Sequence, residues 1–126
     1  MVRKQVITMP NAPNLPFSPA IKAGQYLFVS GQVGFKDPNT GEEIKGIKAQ
    51  AKQCLEKIKQ ILEIAGSSLA DVVKVTVILK NDAAFAEMNE VFHGYFPEDP
   101  PARTTIVASL VQPSILVEMD CIAYCS

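Results

Sequence analysis

Apolar and polar positions alternate along this chain with two different periods, and the changes of period mark its elements. Arg3 to Thr8 reads as a short β-like segment. From Met9 to Pro19, four prolines and two asparagines exclude helix and central strand. What remains there is a long, stiff loop, and such loops often carry function. Tyr26 to Val33 is rich in aromatic and β-branched residues and apolar on both faces, as a buried strand would be. Gly31 inside it predicts a bulge, or a place where a ligand or another backbone comes close. Asp37-Pro38-Asn39-Thr40-Gly41 has the chemistry of a turn.

Helical spacing is clearest from Ile47 onward. Ile47, Ala51, Cys54, Leu55, Ile58, Ile61, Leu62 and Ala65 form one apolar stripe. Lys52, Glu56, Lys59 and Glu63 populate the opposite side, and Gly66 supplies a stop. Val72 to Lys80 then reads as a strand, with Val73, Val75, Val77 and Leu79 facing one way and Lys74, Thr76 and Lys80 the other. Asp82 is placed to cap a second helix, whose buried stripe is Phe85, Met88, Phe92 and Phe96 and which Pro97 ends. Thr104 to Val111 and Ser114 to Tyr124 follow as strands, joined tightly through Gln112-Pro113.

The expected order is therefore β-β-α-β-α-β-β, an α+β arrangement with two helices on one face of a sheet of about five strands. The other face keeps Phe28, Val72, Ile78, Leu116, Ile122 and Tyr124. That is more apolar surface than a monomer leaves in water. The pattern predicts a homo-oligomer that buries this face, with active sites at its seams.

Composition narrows the picture. A chain of 126 residues has room for a single domain, 1–126, whose core needs neither disulfide nor structural metal. The formal charge of -1 argues against a broad basic surface, so no nucleic-acid partner is expected. No apolar run is long enough for a membrane span or a signal peptide, and the expectation is a cytoplasmic protein. Cys54, Cys121 and Cys125 are odd in number and lack framework spacing, which fits packed, reduced thiols. Cys121 and Cys125 share a face, yet without further ligands they do not make a zinc site.

Much chemistry is excluded. The single histidine, His93, lies mid-helix beside Phe92, so neither a multi-histidine metal site nor a nucleophilic triad is expected. There is no Gly-x-Ser-x-Gly elbow, no Gly-x-Gly-x-x-Gly and no Walker loop. Arg103 and Glu118 remain. Arg103 sits where a proline-rich segment leads into a strand, and its planar fork of donors matches a carboxylate. Glu118 is in phase with Leu116, Asp120 and Ile122, on a half-apolar face. An Arg103–Glu118 ion pair, or two solvated charges, is the plainer alternative and by composition the commoner one.

As a pattern these residues say more. Pro101-Ala102-Arg103-Thr104, followed by Val117-Glu118-Met119, resembles the C-terminal signature of the Rid (YjgF-like) family. Asn11-Ala12-Pro13 and Pro16-Phe17-Ser18-Pro19-Ala20-Ile21 resemble its N-terminal loop, and Ser30-Gly31-Gln32 its core strand. Asn39-Thr40-Gly41, Val72-Val73-Lys74-Val75-Thr76-Val77 and Phe85-Ala86-Glu87-Met88-Asn89 fall in order at its hairpin, third strand and second helix.

The resemblance implies a chorismate-mutase-like α+β fold, a homotrimer with sites in clefts between subunits, and no cofactor or metal. For the RidA branch it implies a 2-iminobutanoate/2-iminopropanoate deaminase. Arg103 would clamp the carboxylate of a small 2-imino acid, Glu118 would act on water, and backbone near Gly31 and Thr105 would contact the imine. Phe17, Ser30 and Asn89 would complete the substrate-binding wall. Two positions depart from the family's common pattern: Phe17 stands where tyrosine is frequent, and Thr105 where cysteine is. A non-catalytic module for small carboxylates and an RNA-directed activity are the other readings.

Overall fold

The computed structural model describes residues 3–126. Helix α1, Ile47–Ile64, forms where the apolar stripe places it, burying Ala51, Cys54, Leu55, Ile58, Ile61 and Leu62. It ends because Gly66 takes a left-handed φ of 85°, which costs a residue without Cβ nothing. Helix α2, Phe85–Tyr95, lies beside it and buries Met88 and Phe92, with Phe96 buried just past its end.

Both helices cover one face of a six-stranded sheet. Its strands are β1 (Gln5–Ile7), β2 (Ala20–Ala23), β3 (Tyr26–Val33), β4 (Val72–Leu79), β5 (Ala102–Val107) and β6 (Val117–Tyr124). They run in the order β1-β2-β3-β6-β4-β5. Only β4 and β5 are parallel, so the sheet is mixed, and α2 supplies the crossover that a parallel pair requires. The core lies between sheet and helices, where Leu27, Val29, Val75, Val77, Leu79, Val117, Met119, Cys121 and Ala123 meet α1 and α2. All three cysteines are buried free thiols. Burial pushes the Cys54 and Cys121 thiols up to about 12, which keeps them protonated and inert. Among the described residues, no helix is long and apolar enough to cross a membrane.

The architecture agrees with the expected α+β layering, and several details correct it. Ala20–Ala23 is a strand that the pattern did not show, because four residues are too few to display a period. It raises the strand count from about five to six and adds one β at the front of the order. The register of β4 against β6 shifts between Val72 and Lys74. This irregularity turns Val73 outward and puts Val72, expected on the bare face, into the core. Asp82 makes no side-chain cap; it opens a 3-10 turn, Asp82–Ala84, that precedes α2. The helix therefore begins at Phe85, which is exposed at the rim instead of buried. The last two strands are also shorter than the β-branched stretches suggested.

The uncovered face is largely as expected. Phe28 and Tyr124 are exposed, and Ile78, Leu116 and Ile122 are half-buried. The Asp37 turn forms through its own side chain, whose Oδ1 accepts the N–H groups of Asn39 at 2.7 Å and Thr40 at 3.2 Å.

Candidate functional site

Strand β5 is an edge strand, and its register pairs Arg103 with Val75, a residue buried beneath the helices. Residues paired in a parallel ladder point to the same side, so Arg103 projects towards α2. Its guanidinium carbon lies 4.8 Å from the Phe92 ring centroid and 5.7 Å from that of Phe85. Nη1 also donates to Met88 Sδ at 3.9 Å. Two aromatic faces and a thioether thus hold the fork without consuming its donors on a carboxylate. Partial burial pulls the Arg103 pKa down from its ordinary value. Among the described residues the one ion pair is Lys48–Glu90, at 2.7 Å on the surface, so Arg103 carries an unanswered charge.

Thr105, two residues along β5, shares this side and is half-buried. Asn89 reaches in from α2, and with Arg103, Phe92, Phe96 and Pro101 it lines a cavity of about 340 Å³. The Asn89 Oδ1 is buried without a hydrogen-bond partner. A buried acceptor left open in this way is suited to a donor that arrives with a ligand. His93 lines the same cavity and is exposed.

Glu118 occupies the other face. In β6 the buried residues are Val117, Met119, Cys121 and Ala123, so Glu118, Asp120 and Ile122 point away from the helices. The register of β3 against β6 shifts between Val29 and Gln32, leaving Ser30 and Gly31 as the bulge that the glycine predicted. The Glu118 carboxylate sits against it. A Cβ on Gly31 would lie 2.5 Å from Glu118 Oε2 and 2.9 Å from its Cδ, so only glycine leaves the carboxylate its place. Desolvation, helped by the Asp120 charge, raises the Glu118 pKa above the usual carboxylate range.

Ser30 ties the proline-rich loop to this bulge. Its Oγ donates to the Ser18 carbonyl at 2.5 Å, and its N–H donates to the Pro19 carbonyl at 3.0 Å. Phe17 is exposed at the end of that loop, and with Gly31 it lines a second cavity, of about 440 Å³.

The residues singled out in the sequence therefore fall into two groups. Arg103, Asn89 and Thr105 gather on the helix side of one sheet edge, whereas Phe17, Ser30, Gly31 and Glu118 gather around the β3 bulge. Arg103 and Glu118 point from opposite faces of the sheet, and no ion pair joins them within a chain.

Two further polar residues escaped the reading of the sequence. Gln50 is fully buried; its Nε2 donates to the Ile44 and Ser114 carbonyls at 2.9 Å, and its Oε1 accepts the Leu116 N–H at 2.9 Å. It clamps α1 to the lead-in of β6, and so sets where Glu118 emerges. Lys57 is half-buried and donates to the Val33 carbonyl at 2.8 Å. Both were marked by spacing: Gln50, Cys54 and Lys57 stand four and three residues apart, along one side of the apolar stripe.

A mixed sheet with both helices on one face, a held arginine at its edge and a glycine-seated carboxylate on its bare face defines a two-layer α+β protein of the chorismate-mutase-like type. Residues 9–125 match the family model described as Endoribonuclease L-PSP, and the chain belongs to this family, the Rid (YjgF-like) proteins. It is 52% identical over 124 residues to a RutC family protein of Pyrococcus horikoshii, covering 96% of this chain and 98% of that one. It is 35% identical over 125 residues to Reactive Intermediate Deaminase A, chloroplastic, of Arabidopsis thaliana, covering 97% of this chain and 66% of that protein. Among solved structures it resembles RidA from an Antarctic Psychrobacter bacterium, with a TM-score of 0.86 and 43% identity, covering 95% of this chain and 98% of that one.

Proposed function

We propose that this protein hydrolyses small reactive 2-imino acids, 2-iminobutanoate and 2-iminopropanoate among them, to 2-keto acids and ammonia. The observation that carries the reading is Arg103, a rigidly held guanidinium with no carboxylate partner of its own. The name of the Arabidopsis relative, a reactive intermediate deaminase, supports it. The site would form between copies of the chain. Arg103, Asn89 and Thr105 of one copy would meet Glu118, Gly31 and Phe17 of the next, and burial of the bare apolar face would drive the assembly.

The chemistry needs little else. Arg103 clamps the substrate carboxylate and orients the C=N bond. Glu118 takes a proton from a water that adds to the imine carbon, giving a carbinolamine. The proton passes from Glu118 to the nitrogen, and as the carbinolamine collapses its hydroxyl gives up the second proton to the amine through Glu118, the C=O bond forms, the C–N bond breaks and ammonia leaves. Asn89 offers its open Oδ1 to a substrate N–H, and backbone groups near Gly31 and Thr105 face the developing charge. Phe17 forms an aromatic wall without a hydroxyl. No cofactor enters the scheme.

The deciding assay is ammonia or keto-acid release from imines made in situ by a threonine dehydratase, with semicarbazide competing for them. Acceleration is expected. Keto-acid binding without acceleration would favour a non-catalytic carboxylate-binding module instead. The family description names an endoribonuclease, and tight, salt-dependent RNA binding in titration would favour that reading. Light scattering should return about three times the 13.7 kDa chain mass; a stable monomer at micromolar concentration would remove the composite site.

The pH profile follows from Glu118. As a base it must be ionised, and its pKa lies above the ordinary carboxylate range. The rate should therefore fall, as pH drops, earlier than an unperturbed glutamate would allow. Asp120→Asn removes a neighbouring negative charge and should move that limb to lower pH. A limb that ignores this change would remove Glu118 from the role.

A further inference from the structure

We infer that Lys57 is a positioning residue for Glu118: its ammonium reaches across from α1 and pins the stretch of β3 that seats the carboxylate. The inference rests on the proposed role of Glu118 as the base. Beyond the Ser30–Gly31 bulge, β3 resumes its pairing with Gln32 opposite Met119 and Val33 opposite Glu118. A bulge disrupts the ladder locally, and α1 supplies donors beside it. The Cys54 thiol donates to the Gln32 carbonyl at 3.3 Å, and Lys57 Nζ donates to the Val33 carbonyl at 2.8 Å. Gln32 closes the bulge from within, its Nε2 donating to the Ser30 carbonyl at 3.1 Å. At Gly34, just past β3, a Cβ would overlap the Gln50 carbonyl oxygen, so the chain there is pressed against the backbone of α1.

Of these bonds the one from Lys57 has a charged donor, which makes it roughly twice as strong as a neutral bond. Glu56 and Glu63 border an outward cleft that Lys57 also lines, yet the one ion pair among the described residues is Lys48–Glu90. The Lys57 ammonium goes to the carbonyl instead, half-buried, and burial lowers its pKa. Its charge is not what sets the state of Glu118, whose pKa is raised by desolvation first and by Asp120 second. The other titratable groups nearby are neutral or engaged. The Cys54 thiol on α1 stays protonated, and Lys80, just past β4, donates to the Pro113 carbonyl at 2.6 Å. The proposed assembly adds Arg103 of the next copy. Desolvation of Glu118 depends on its fit against Gly31, and that fit depends on where the backbone of β3 is held. Freeing β3 would therefore admit water and lower the Glu118 pKa, whereas loss of a nearby positive charge alone would raise it. The two effects have opposite signs.

The test follows the Glu118 carboxyl by carbon-13 NMR through a pH titration, beside rates of imine hydrolysis, in the parent protein, Lys57→Met and Lys57→Arg. In Lys57→Met the Glu118 pKa should fall towards the ordinary carboxylate range. Its kcat should drop about tenfold through a misplaced base, while a keto-acid product analogue, held by Arg103, should bind within about twofold of its parental affinity. Lys57→Arg keeps a charged donor and should restore most of what Lys57→Met loses. A Glu118 pKa that stays or rises in Lys57→Met overturns the proposal, as does a parental kcat in that variant or an equal loss in Lys57→Arg. Lys57→Gln, whose amide falls one atom short of the carbonyl, replaces Lys57→Met should that variant not fold. If neither folds, Lys57 holds the fold and not the carboxylate, and the proposal falls. A parent protein that fails to accelerate imine hydrolysis would remove the deaminase reading alone, because the Glu118 titration still decides whether Lys57 seats the carboxylate.

Discussion

Arg103→Ala should abolish measurable acceleration of imino-acid hydrolysis while assembly survives. Charged hydrogen bonds to a desolvated carboxylate are worth roughly 1.5–3 kcal/mol each, so losing a bidentate pair should cost at least about a hundred-fold in rate. The same substitution removes the stacking on Phe92 and Phe85, worth about 0.5–1 kcal/mol at a partly exposed site. Melting temperature should therefore move little. Arg103→Lys should recover little activity, because a point charge cannot reproduce the fork. Glu118→Gln separates the roles: it should still bind a keto-acid product analogue but turn over slowly. A folded, fully active Arg103→Ala assembly would end the deaminase reading.

The largest effect on stability is expected at Gln50. Gln50→Leu keeps a buried side chain of similar size, but strands the Ile44 and Ser114 carbonyls and the Leu116 N–H. Each of these part-buried groups left unpaired costs about 1 kcal/mol, so the total should reach about 3 kcal/mol. For a domain of this size that lowers the melting temperature by roughly 10 °C. Thermal and urea unfolding would measure it. A loss under about 1 kcal/mol would mean that water replaces the amide, and that the clamp on β6 is looser than its geometry implies.

Where one period governed a long stretch, the sequence was easy to read. The stripe of α1 could belong only to a helix, and the alternation of Glu118 with its buried neighbours was visible in β6. Val73 was misplaced because a register shift changes a strand's phase without leaving any residue type to announce it. Phe85 was misplaced because helical spacing tells which side a residue takes but not where the core stops; at the first position of α2 it meets Arg103 at the rim. Gln50 was missed because its helical spacing beside the stripe does not say whether its amide is paired, which depends on partners 64 and 66 residues away.

The site divides in the same way. Arginine and glutamate could be singled out by chemistry and by resemblance, and Gly31 announced its bulge. Which face each charge takes depends on the pairing of β5 with β4, a parallel register joined through a helix. Nothing local in Pro101-Ala102-Arg103 encodes that pairing. Within one chain, the plain alternative of an Arg103–Glu118 ion pair could be set aside only once the two faces were known.

That opposition of faces makes the proposed activity a property of neighbours, and two inactive variants should then repair one another. Mix chains carrying Arg103→Ala with an equal number carrying Glu118→Gln, unfold them together and let them reassemble at random. In the proposed assembly each seam would draw its arginine from one chain and its glutamate from another, so roughly one seam in four should inherit both intact. Activity absent from either parent preparation would appear in the mixture. Two defective alleles expressed in one cell would likewise cover for each other, whereas a site built within single chains would stay dead at every mixing ratio.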